Sequence, residues 1–141
     1  MSLLKDLHNT VVHTNVMPPA NPSSGNTARV CTVVNMEGYR GLEYVILTGS
    51  LADADATFTT LMEESDDDST YTSVADADMN GTEAGASFTF THDNSLRKIG
   101  YIGNKLYNRL TITPATNTGD QFLAVVAEQI INAQSVSDQT S

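Results

Sequence analysis

The chain is expected to be an all-β domain of β-sandwich or jelly-roll type, with about eight short strands and an N-terminal arm. Three observations predict this. Runs rich in Val, Ile, Thr, Tyr and Phe recur at intervals of roughly ten to fifteen residues, the spacing of sandwich strands. Between them lie Asn, Asp, Ser and Gly, which favour turns over helix interiors. At 141 residues and 40% hydrophobic content the chain can bury one core, and it has no apolar run near the ~18 residues of a membrane span.

Residues 1–8 fit a helical turn with Leu3, Leu4 and Leu7 on one side. Residues 10–17 (TVVHTNVM) have strand composition and stop at Pro18-Pro19. The stretch 18–26 holds three of the chain's four prolines, which precludes a regular element. Residues 1–26 therefore read as an arm or edge segment rather than core, docked on a neighbour or along its own domain. The sandwich domain is expected over 27–132, and 133–141 as a polar tail.

Within the domain, 27–36 (TARVCTVVNM) reads as a strand. The nearly continuous apolar run 42–48 (LEYVILT) suggests a central strand, or one covered on both faces. Strands follow over 56–63, with Phe58 as a core anchor, and within 63–74 after an acidic turn. Residues 76–85 form a loop. Alternation over 86–92 (ASFTFTH) puts Phe88 and Phe90 on one face. In 121–131 (QFLAVVAEQII) the Val-Val and Ile-Ile pairs favour a final strand over a helix.

The most structured stretch is 95–114 (SLRKIGYIGNKLYNRLTITP). Gly103-Asn104 between two apolar runs predicts a tight hairpin. In that register Ile99, Tyr101, Leu106, Leu110 and Ile112 form a core face, and Lys98, Ile102, Lys105, Tyr107 and Arg109 the opposite one. Gly100 makes room for the Tyr107 ring. Lys98 opposite Arg109 is a like-charge pair that calls for an anion. Lys98, Lys105, Tyr107 and Arg109 are thus the candidate partner-binding residues. Their anion is either the acidic turn at 66–68 folding over them or a carboxylate-rich partner, and the external partner is the preferred reading.

Net charge is −10, and residues 41–96 contain twelve carboxylates and no Lys or Arg. This balance argues against direct nucleic-acid binding. Asp66, Asp67 and Asp68 lack the spacing of an EF-hand loop and are expected to face solvent. His8, His13 and His92 are scattered, which disfavours zinc. No nucleophile elbow, phosphate loop or dinucleotide motif occurs. The expectation is a protein that is not an enzyme and has no cofactor. Cys31, the single cysteine, reads as a buried thiol.

The segments GYRGLEYVILTG (38–49), EESDDDSTYTSV (63–74) and RKIGYIGNKLYNRLTIT (97–113) resemble, in that order, small head proteins of tailed bacteriophages and prophages. There the patterns "GY", "E.SDDG..Y..V" and "GY.G.KRY.RL" recur. Asp68 stands where the pattern has Gly, and Leu106 where it has Arg. The resemblance implies virion structure. It leads to the expectation of a capsid decoration (cement) protein on the outer surface of an icosahedral head. Such a protein would bind the major capsid protein as a homotrimer, and would be made in the bacterial host cytoplasm. A head–tail or tail component and a carbohydrate- or receptor-binding sandwich are the alternatives.

Overall fold

Two antiparallel sheets face each other across a shared core. The structure, a computed structural model, describes residues 5–19 and 24–132. The tail expected at 133–141, residues 1–4 of the first helical turn and residues 20–23 of the proline-rich stretch lie outside the described residues.

Sheet A has the order β1-β11-β4-β9-β7. Its strands are β1 (Val11–Met17), β4 (Tyr39–Leu51), β7 (Met79–Asn80), β9 (Leu96–Tyr101) and β11 (Gln121–Ile131). Sheet B has the order β2-β10-β5-β6, with β3 also on β10 and β8 also on β5. Its strands are β2 (Arg29–Val30), β3 (Val34–Asn35), β5 (Thr57–Ser65), β6 (Thr72–Ser73), β8 (Phe88–Thr89) and β10 (Tyr107–Ala115). Two one-turn helices, α1 (Leu7–Thr10) and α2 (Glu83–Ala86), and two 3-10 turns, Asp76–Asp78 and Phe90–His92, complete the described elements.

The all-β sandwich expectation holds, and period-two alternation explains the core. Leu42, Tyr44 and Ile46 of β4 point inward beside Leu123, Val125 and Ala127 of β11 and Ile99 and Tyr101 of β9. Phe58 and Met62 of β5 and Leu110 and Ile112 of β10 close the core from the other side. The Phe58 and Phe88 rings stack with centroids 4.9 Å apart. One polar pair lies inside: the Tyr44 hydroxyl donates to Asn108 Oδ1 at 2.8 Å. Burial pushes that phenol far above its usual range.

The expected hairpin at 95–114 does not form. β9 pairs with β4 and β7 in sheet A, whereas β10 pairs with β5 in sheet B. The Gly103-Asn104 segment carries the chain from one sheet to the other. The inward and outward assignment survives for Ile99, Tyr101, Leu110 and Ile112, because alternation is local to each strand. Leu106 lies outside both strands and is 36% exposed. Gly100 makes room for Asn80 of β7 rather than Tyr107, since a Cβ there would lie 3.2 Å from Asn80 Cβ.

Two other segments differ from expectation, and a third takes one of the two placements open to it. The strand expected at 27–36 breaks at Cys31, which is buried and whose thiol burial pushes up to about 12. There the Cys31 N–H donates to Leu110 of sheet B and the Thr32 N–H to Val16 of sheet A, so the strand is interrupted by a contact with sheet A before β3 rejoins β10 in sheet B. Alternation over 86–92 ends after Thr89, where the Thr89 N–H donates to His92 Nδ1 at 3.2 Å and a 3-10 turn begins. Phe90 consequently faces outward at 38% exposure. Within the 1–26 segment, β1 runs antiparallel along β11, with Val16 and Met17 buried in the core. This part of the expected arm is a framework strand, because β11 offers it an open edge.

Removing residues 1–17 should therefore destabilise the fold. Burying two such side chains contributes about 1.5–3 kcal/mol each, so urea unfolding is expected to show a loss of several kcal/mol. An unchanged midpoint would mean that β1 contributes nothing to the framework.

Candidate interaction surfaces

The cationic residues singled out from the sequence fall on two different surfaces. Arg109 lies directly opposite Glu63 across β10 and β5. Its Nε donates to Glu63 Oε1 at 3.0 Å, and its guanidinium sits 3.9 Å from the centroid of the Tyr71 ring. The Tyr71 hydroxyl in turn donates to the Asp68 carboxylate. Loss of water around Tyr71, followed by that hydrogen bond, pushes the phenol up to about 12. Ion pair, stacking and hydrogen bond join β5, the 66–71 turn and β10 into one unit.

The three consecutive aspartates have three separate tasks. Asp66 accepts from Lys105 Nζ at 2.7 Å, which raises the lysine above its usual range. Asp67 Oδ1 accepts the N–H groups of Thr70 and Ser69 and the Ser65 hydroxyl, each at 2.9 Å. Those bonds, the Thr70 one first, hold its carboxyl below the usual range. Asp68 has φ of 57°, the left-handed region. Asn and Asp enter it more readily than other non-glycine residues. The position where the phage pattern carries glycine is thus one whose backbone favours glycine.

Of the four candidate residues, Lys105, Tyr107 and Arg109 share the β5–β10 end of the sandwich, with Tyr107 half-buried opposite Ser65. Lys98 stands apart on sheet A, 3.9 Å from Glu43 and 70% exposed. It does not face Arg109. The anions that the cations called for come from this chain: Glu63, Asp66 and Glu43.

A surface not singled out from the sequence is the outer side of sheet A. Cross-strand register arranges it in rows. Leu96, Leu47 and Ala124 form the first, and Lys98, Val45, Val126 and Asn15 the second. Gly100, Glu43, Glu128 and His13 form the third. Glu43 directly opposite Glu128 is unfavourable by itself. Lys98 answers Glu43, and His13 Nε2 lies 3.1 Å from Glu128. Past the first row Phe122 lies over Gly49, where a Cβ would come within 3.0 Å of Phe122 Cβ. The available signal was the apolar character of 42–48 and 121–131 on both sides of the pleat.

No protein-family model matches the chain, and no curated protein matches it in sequence. Solved structures match in fold. The PBSX exported protein XepA superposes with a TM-score of 0.55 at 12% identity, over 86% of this chain and 37% of that one. The VP2 subviral particle of infectious bursal disease virus gives 0.52 at 14% identity, over 86% of this chain and 32% of that one. This chain therefore spans little more than a third of the former and about a third of the latter. The likeness is one of fold.

The Arg109 cluster should carry measurable stability, and Lys105 should not. Arg109→Ala loses a partly buried ion pair and a stacked ring, for an expected cost of about 1–3 kcal/mol. Arg109→Lys should recover only part of it, because an ammonium cannot reproduce the planar fork. Lys105→Ala should leave the urea midpoint unmoved. Equal effects at Lys105 and Arg109 would contradict this ranking.

Proposed function

We propose that the chain is a structural protein of a bacteriophage particle that decorates the outside of the icosahedral head. The observation that carries this reading is where the phage-like motif residues meet. Glu63 and Tyr71 come from the "E.SDDG..Y..V" pattern and Arg109 from the "GY.G.KRY.RL" pattern, and the three form one cluster. Val74, the last residue of the first pattern, is buried in the core. Gly38 opens the first segment at φ of 85°. The shared residues thus describe the interlocks of this sandwich, which supports a common framework with the phage head proteins. A framework held by its own ion pairs suits a module that adds to a shell without chemistry of its own.

In this reading the partner is the major capsid protein, and the chain acts as a homotrimer, with no catalytic role and no nucleic-acid contact. The acid-rich ends of the sandwich present Asp53, Asp55 and Asp66–Asp68 to solvent, where a basic capsid patch would steer association. The test is cosedimentation with expanded, decoration-free heads. Saturable pelleting with the heads, weakened as salt rises, is the expected result. Protein that stays in the supernatant at every ratio and salt concentration would overturn the proposal.

A further inference from the structure

We infer that the outer face of sheet A is the surface through which copies of this chain associate. The sequence of its two central strands supplies the first reason. β4 (YRGLEYVILTGSL) and β11 (QFLAVVAEQII) place apolar side chains on both sides of the pleat, the pattern of strands covered on both faces. Among the described residues only the inner side is covered. Outside, Leu47 is 42% exposed, Leu96 55% and Phe122 42%. Leu96, Leu47 and Ala124 sit in register on three adjacent strands, so they form one continuous patch. Clustered apolar side chains of this kind mark contact surfaces, whereas scattered ones do not.

Shape adds to this. Beside the leucines lies a hollow of about 280 Å³ lined by Pro19, Leu47, Gly49, Phe122 and Ala124. The exposed Leu96 and the hollow, on one face, give a second copy both a side chain and a recess to meet, as a two-fold contact or head to tail around a ring.

Charge selects the occupant. At −10, two copies repel each other wherever their acid-rich segments approach. The densest of them lies elsewhere: Glu63 through Asp68 belong to sheet B and its turn. On the sheet A face both carboxylates already have a side-chain nitrogen beside them, Lys98 Nζ 3.9 Å from Glu43 and His13 Nε2 3.1 Å from Glu128. A basic foreign partner finds no unanswered carboxylate here. A second copy finds apolar rows and a nearly balanced charge, the arrangement at which like-charged chains can meet.

The inference does not depend on the virion reading, because it concerns the isolated chain. Sedimentation equilibrium over a wide concentration range tests it. The full chain should show a mass that is a multiple of 15.1 kDa. Leu96→Asp and Leu47→Asp should each weaken association at least about tenfold, with circular dichroism unchanged. Thr113→Asp, on the exposed face of sheet B, should leave association intact. Hydroxyl-radical footprinting of the unmodified chain gives a readout that no folding defect can confuse: Leu96 and Phe122 should become protected as concentration rises. A chain that stays monomeric throughout, folded variants that associate normally, or Leu96 and Phe122 labelling independent of concentration would each overturn the inference. Head binding by a chain that is monomeric both free and bound would also overturn it, while leaving the virion reading in place.

Discussion

The sandwich depends on how the chain passes from one sheet to the other after β9, and Tyr101 controls that passage. Its ring is 1% exposed, at the end of β9. Its hydroxyl donates to Glu64 Oε1 at 2.7 Å, on sheet B, and accepts the Lys105 N–H at 2.9 Å from the crossing itself. One phenol thus ties sheet A, the crossing and sheet B together. A Cβ at residue 103 would fall 2.6 Å from that ring, so glycine is needed there for close approach rather than for a hairpin turn. Burial, then the Glu64 bond, raises the phenol above its usual range, so it stays a donor at neutral pH.

Once β9 and β10 are committed to different sheets, the placement of charge follows. Arg109 on β10 meets Glu63 of β5 by register, and Lys105 in the crossing reaches Asp66 in the adjoining turn. Lys98 is carried to the opposite outer surface, among Val45 and Val126. The acidic tract that dominates the composition is therefore partly consumed as counter-charge within the fold. Exposed pairs of this sort contribute little stability singly. Their effect is to hold the turn and to leave the outer side of sheet A nearly neutral.

What could be read from the sequence was whatever is local. The strands at 42–48, 56–63 and 121–131 were legible from composition and length, and alternation assigned the faces of Ile99, Tyr101, Leu110 and Ile112. The partner of each strand was not, because a Gly-Asn step between apolar runs is compatible with a hairpin and with a sheet change alike. The hairpin register groups Lys98 with Arg109 for that reason alone. At 86–92 the alternation is real, but the Thr89–His92 hydrogen bond curls the chain after Thr89. The apolar character of β4 suggests cover on both faces; only the register of its neighbours shows that, among the described residues, one face lies open.

The most direct test of this account is the strand pairing of Ile99 in solution. Nuclear Overhauser effects across adjacent strands report backbone neighbours without altering the protein. Cross-strand contacts should connect Ile99 with Tyr44, and Leu110 with Met62, as the register requires. Contacts connecting Ile99 with Asn108 and Lys98 with Arg109 would restore the hairpin, return Lys98 to the surface of Arg109 and contradict the account.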